Sequence, residues 1–203
     1  MGTVDRVKTV LEAGELARRL VHASGSVLPL VYLTNVGTWP QTQALFVTGA
    51  AVALALEALR HTGRIDWRIY DYLIREYEAD NVAAYALYML SSAAVVLLFE
   101  PSIAVPAVFM LTVGDPISGL VAGNDFRRVK RPRALAAMFL TSAALAAPFH
   151  PETLLAVVLG GVGATVADGY KPVIRTYVID DNLTIPPVGA AAMALGIELT
   201  ALV

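Results

Sequence analysis

The chain has 203 residues, of which 57% are hydrophobic and only 16% charged; an average soluble domain carries about 25% charge. It has no cysteine, which excludes disulfides and Cys-ligated metals or clusters. The formal net charge of −2 is small, the sidedness of the charge says more, and no nucleic-acid partner is expected.

Taken in chain order, residues 1–22 contain an amphipathic helix over 3–21, with Val4, Val7, Leu11 and Leu20 near one face. It lacks an apolar signal core and is expected to lie on a membrane surface. Apolar spans are predicted over about 24–39, broken at Pro40, and over 41–59. A polar, aromatic segment follows at 60–80, with Trp67, Tyr70, Tyr72 and Tyr77 suited to an interface. Further spans are predicted over about 82–99, 103–123, 134–149, 152–168 and 185–203. Spans one and five are short against the roughly 20 residues of a straight crossing.

All fifteen Lys and Arg residues fall in four clusters, at 1–22, 60–80, 124–134 and 169–184. Two apolar stretches separate each cluster from the next. The turns within those pairs, at Thr38–Gln41, Glu100–Ser102 and His150–Glu152, contain neither Lys nor Arg. Basic loops stay on the cytoplasmic side. The pattern predicts a single all-α, polytopic membrane domain over 1–203, with about seven transmembrane helices and a cytoplasmic N-terminus. Its cytoplasmic loops are 60–80, 124–134 and 169–184.

Several chemistry-bearing residues fall on that cytoplasmic side. Asp115 interrupts an apolar run and is followed by Pro116. An intramembrane carboxylate is expensive and marks a functional site, and the proline is expected to break or kink the span. Asp168 ends the sixth span. Asp180, Asp181 and Asn182 precede the seventh. One Asp there suffices to cap a helix; two adjacent carboxylates exceed that need and call for a cation, with Mg²⁺ the common partner where phosphates are handled. The run Arg127, Arg128, Lys130, Arg131 and Arg133 either enforces topology or holds phosphate and anionic lipid. Gly160, Gly161 and Gly163 lack a strand–helix context and a following Lys, and read as helix packing.

Four stretches together resemble the CTP-dependent polyprenol kinase family, which includes dolichol and phytol kinases. Glu15-Leu-Ala-Arg18-Arg19-Leu-Val-His22 is similar to its E-x-x-R-K-x-x-H start. Val113-Gly114-Asp115-Pro116, with Gly119 and Gly123, looks like its G-D-x-x-A-x-x-x-G segment. Asp168 stands where the family has an acid. Ile179-Asp180-Asp181-Asn182-Leu-Thr-Ile-Pro186 looks like its I-D-D-N-x-x-I-P signature. Arg75 and Glu78 match more loosely an R-x-x-E before the third span.

The resemblance implies a lipid kinase of the cytoplasmic membrane. It would transfer a phosphoryl group from a nucleoside triphosphate, CTP in the family, to an isoprenoid alcohol. By the same resemblance Mg²⁺ falls to Asp115 and to Asp180 or Asp181, with Asp168 a further ligand or the base for the lipid hydroxyl, and the catalytic set is Asp115, Asp168, Asp181 and Lys130. Lys130, Arg127, Arg128, Gly114 and Asn182 fall to the nucleotide, and His22, Arg19 and Glu78 to the lipid side. One departure stands out: Arg133 and Ala134 occupy the acid and glycine of the family's K-S-x-E-G motif. A cytidylyltransferase and a non-catalytic lipid-binding scaffold are the rival readings.

Overall fold

The computed structural model describes residues 20–65, 67, 70, 74, 81–122, 129–175 and 177–202. The N-terminal amphipathic helix, most of loop 60–80, and Arg19, Arg75, Glu78, Gly123, Arg127 and Arg128 therefore lie outside the described residues.

The chain is mostly helical. Helix α1, Leu20–Leu33, turns at Gly25 and Ser26 and resumes as Val27–Leu33. It is followed by α2 (Trp39–His61), α3 (Ala84–Leu98), α4 (Pro101–Phe109), a π-helical turn (Met110–Gly114) and α5 (Asp115–Ala122). Then come α6 (Pro132–Ala146), α7 (Leu154–Gly169), a two-residue antiparallel ladder of β1 (Val173–Ile174) with β2 (Tyr177–Val178), and α8 (Asp181–Ala201). Three helical stretches, Trp39–His61, Pro101–Ala122 and Asp181–Ala201, are long and apolar enough to cross a membrane. Four shorter apolar helices, Leu20–Leu33, Ala84–Leu98, Pro132–Ala146 and Leu154–Gly169, accompany them among the described residues.

Two boundaries differ from the sequence expectation. The first break falls at residues 34–38, not at Pro40. Asn35 adopts a left-handed φ of 56°, the conformation that ends helices. Thr38 and Gln41 then form a reciprocal capping box that starts α2 at Trp39. Pro40 sits inside the first turn, where its missing N–H removes no helical bond. The second difference concerns Pro116. Instead of breaking the helix, it follows one widened turn, in which the Asp115 N–H donates to Met110 O, five residues back. The proline ring excludes the carbonyl four residues before it, and the π turn accommodates that exclusion without ending the helix.

The core lies where α7 and α8 cross, and small residues let them approach. A Cβ on Gly163 would meet Ala192 Cβ at 2.7 Å, and one on Gly196 the Ala156 backbone N at 2.7 Å. Gly161 gives the same clearance to Phe139 of α6. Without a hydrophobic force between helices in lipid, such close packing is the main source of attraction. Met110, Met138, Met193 and Ile185 are fully buried at this junction.

Near the end of α2, Glu57 is 4% exposed and ties that helix to the start of α3. It accepts from the Arg60 guanidinium, from Tyr85 Oη at 2.6 Å and from the Ala83 backbone N at 2.9 Å. Arg60 also donates to Asn81 O at 2.6 Å. A buried carboxylate is tolerated because every oxygen is engaged.

Candidate active site

The widened turn before Asp115 shifts that residue relative to the apolar helix preceding it. Asp115 becomes the first residue of α5, and Ser118 lies one turn further on the same face. Asp168 stands in the last turn of α7 and is fully buried. Asp180 is the N-cap of α8, its carboxylate accepting from the Asn182 N–H at 3.0 Å. Asp181 and Asn182 open the helix itself and are buried. One carboxylate oxygen from each of Asp115, Asp168 and Asp181 lies within 4.8 Å of the others.

Two lysines meet these carboxylates, and a short extended pairing aims them. Val129 and Tyr170 form an antiparallel bridge, and the Lys130 N–H donates to Gly169 O at 3.0 Å. Successive side chains of extended backbone point to opposite faces. Val129 and Tyr170 are therefore exposed, at 57% and 54%, while Lys130 and Lys171 turn inward. Lys130 Nζ lies 2.5 Å from Asp168 Oδ1 and 3.4 Å from both Asp115 Oδ1 and Ser118 Oγ. Ser118 Oγ donates to the other Asp168 oxygen at 2.7 Å. Lys171 Nζ pairs with Asp181 Oδ2 at 2.7 Å. Burial alone would lower the Lys130 pKa; the carboxylates of Asp115, Asp168 and Asp181 outweigh it and hold the ammonium above its ordinary value.

The donor set suits a hard divalent cation. All three converging ligands are carboxylate oxygens, the donors that Mg²⁺ prefers. Among the described residues, the three carboxylates share this buried site with the ammonium groups of Lys130 and Lys171. Asn182 adds an unpartnered atom. Its Nδ2 donates to Asp180 Oδ1 at 2.5 Å, and its buried Oδ1 has no hydrogen-bond partner among the described residues. A carboxylate only accepts, so the amide cannot be reversed without losing that bond.

Of the residues singled out from the sequence, Asp115, Asp168, Asp181 and Lys130 come together. His22 joins them, with Nδ1 3.5 Å from Asp115 Oδ2 and its ring stacked on Tyr88 at 6.1 Å. Asp180 serves as a helix cap beside the cluster and is not one of its three converging carboxylates. Gly114 is buried, and a Cβ there would meet Met138 Sδ at 3.1 Å, so its smallness serves the contact with α6. Arg19, Glu78, Arg127 and Arg128 fall outside the described residues.

Sequence reasoning missed Ser118, Lys171 and Tyr88. Ser118 carried a signal, its spacing of three from Asp115 on a helix. Lys171 was seen only as a topogenic charge, and its pairing with Asp181 depends on the bridge at Tyr170. Tyr88 lies in an apolar run and gave no signal. Comparison with family models, with curated proteins and with solved structures finds no match for this chain.

Proposed function

We propose that the protein is a membrane-embedded lipid kinase that transfers a phosphoryl group from a nucleoside triphosphate, CTP by the family resemblance, to an isoprenoid alcohol. The single observation that carries the reading is the convergence of Asp115, Asp168 and Asp181, from three different helices, around Lys130. The seven apolar helices are taken to cross the cytoplasmic membrane, with the N-terminus and the acidic centre on the cytoplasmic side. That orientation rests on the confinement of every Lys and Arg to alternate loops, and it puts the site where nucleotides are.

Phosphoryl transfer needs positioning and charge neutralisation more than covalent chemistry. Asp115 and Asp181 would hold Mg²⁺, with Asp168 beside them, and the ion would neutralise charge on the transferring phosphoryl group. Lys130 and Lys171 supply ammonium donors for phosphate oxygens. Asp168 has one oxygen on Lys130 and the other on Ser118, so its role here is to hold that lysine in place. Asp180 and Asn182 fix the first turn of α8, which carries Asp181. The prenyl chain would lie among the apolar helices and leave only its hydroxyl at the site.

A product assay tests the reading. Purified protein in lipid micelles, given CTP labelled at the γ-phosphate and geranylgeraniol, should transfer label to the lipid in a Mg²⁺-dependent way. Release of pyrophosphate with a CDP-lipid would make it a cytidylyltransferase, and no product of either kind would leave a lipid-binding scaffold.

A further inference from the structure

The mechanism above makes no use of Tyr88, yet its surroundings are the least satisfied beside the site. Tyr88 lies about one turn into α3 and is 7% exposed, and its buried hydroxyl has no hydrogen-bond partner among the described residues. Leaving a buried hydroxyl unpaired costs about 1–3 kcal/mol, so such a group calls for a partner that the described residues do not supply. Its ring stacks on His22, whose Nδ1 is 3.5 Å from Asp115. The hydroxyl occupies space that exists only because residue 25 is glycine: a Cβ there would collide with Tyr88 Oη. Nearby, Ser26 Oγ donates to Thr112 Oγ1 at 2.8 Å in the π turn. On the same face of α3, Ser91 Oγ donates to Asn182 O at 2.6 Å, and Ser92 Oγ is buried and has no partner among the described residues. Around the seam where His22 and Gly25 of α1 meet Tyr88 of α3, polar groups thus reach toward the π turn and the start of α8.

We propose that this seam seats the acceptor alcohol, with the Tyr88 hydroxyl donating a hydrogen bond to the lipid hydroxyl oxygen. The inference rests on the lipid-kinase reading and adds the place of its second substrate. Three features favour an alcohol carried by a lipid. The unpaired atom is a phenolic O–H, which donates to an alcohol oxygen and also accepts from an alcohol O–H. The Tyr88 ring stacks on His22, which meets Asp115 through Oδ2, whereas Lys130 meets the same carboxylate through Oδ1. The wall of the seam is α1, about 20 Å long at 1.5 Å per residue against a hydrocarbon core of about 30 Å. Its Leu20, Val27 and Leu30 are exposed, so an apolar chain can follow it from the membrane.

Two readouts test the proposal. The first is binding of tritiated geranylgeraniol to the detergent-solubilised protein without nucleotide, in competition with unlabelled geranylgeraniol or with the hydrocarbon lacking the hydroxyl. The wild type should prefer the alcohol, and Tyr88→Phe, which removes only the hydroxyl, should lose that preference. Gly25→Ala should lose it too, by displacing the hydroxyl. The second readout is steady-state kinetics: Tyr88→Phe should raise the KM for the alcohol about tenfold, the worth of roughly one hydrogen bond, with the nucleotide KM unchanged. Unaltered preference and unaltered alcohol KM in Tyr88→Phe would overturn the proposal and leave the hydroxyl to a water molecule. So would a wild type that does not distinguish alcohol from hydrocarbon, or an equal rise in both KM values, which marks a structural role. If the binding preference holds but no phosphate is transferred, the kinase reading fails and the alcohol seat stands.

Discussion

Lys130 Nζ is 2.5 Å from Asp168 Oδ1 although the two residues are 38 apart in sequence, and the carboxylate is completely buried. Such a pair contributes little net stability, because desolvating two charges offsets most of their attraction. Removing the carboxylate is another matter, since it takes the shortest contact from Lys130, which then keeps only the longer ones to Asp115 and Ser118. Asp168→Asn should destabilise the protein by about 3–5 kcal/mol and lower its thermal midpoint in detergent. Ser118→Ala removes a neutral donor to the same carboxylate and should cost about 1–3 kcal/mol. Equal midpoints for wild type and Asp168→Asn would show that the pair does not hold the fold.

Asp115→Asn and Asp181→Asn should each leave the protein folded and cut phosphoryl transfer by at least about 100-fold, the usual effect of removing one electrostatic contributor at a reacting centre. Both residues present carboxylate oxygens to the same point from different helices. Titration with Mg²⁺ followed by thermal shift supplies a second measurement, with stabilisation expected in the wild type and lost in both variants. Wild-type turnover in both variants at saturating Mg²⁺ would remove these residues from the mechanism.

Within the basic run, Lys130 should stand apart. Lys130→Ala is expected to raise the nucleotide KM and lower kcat, with a combined loss of about 10- to 100-fold for a charge-assisted bond. Arg133, exposed in the first turn of α6, should give a much smaller effect as Arg133→Ala. Kinetics of alanine variants across 127–133 read this directly. Small and equal effects throughout would leave the run as a topogenic loop, where each charge contributes about 1 kcal/mol near an anionic surface.

Glu57 separates fold from function. Glu57→Ala removes at once the shared acceptor of Arg60, Tyr85 Oη and the Ala83 N–H. It should lower stability by about 3–5 kcal/mol while both KM values of the surviving folded protein stay near wild type. A selective change in either KM would place this cluster in substrate handling.

Orientation is open to a direct measurement, because the chain has no cysteine of its own. Single cysteines at Gln41 and Glu152, both exposed, should react with an impermeant thiol reagent from outside intact cells. One at the exposed Arg175 should react only after permeabilisation. The opposite pattern would invert the protein and separate its acidic centre from cytoplasmic nucleotides.

What could be read from the residues alone was what local chemistry dictates. Apolar runs of 15 to 23 residues, such as Ala84–Leu98 and Trp39–His61, announce helices because backbone polar groups in hydrocarbon must pair within the segment. Asp115 stands out because an intramembrane charge is costly, Asp181 because two adjacent carboxylates call for a cation, and Asp168 and Lys130 through the family resemblance. Boundaries were less legible: Pro40 looked like a break, whereas Asn35 and Thr38 end one helix and start the next. Only the tertiary structure decided which acids converge. Asp180 and Asp181 are neighbours in sequence, yet at a helix start adjacent side chains diverge by about 100°. One therefore caps the helix and the other faces Asp115 and Asp168. The inward turn of Lys130 and Lys171, and the unpaired hydroxyl of Tyr88, follow from a bridge between Val129 and Tyr170 and from a missing Cβ at Gly25. Those contacts join residues tens of positions apart, and no local pattern encodes them.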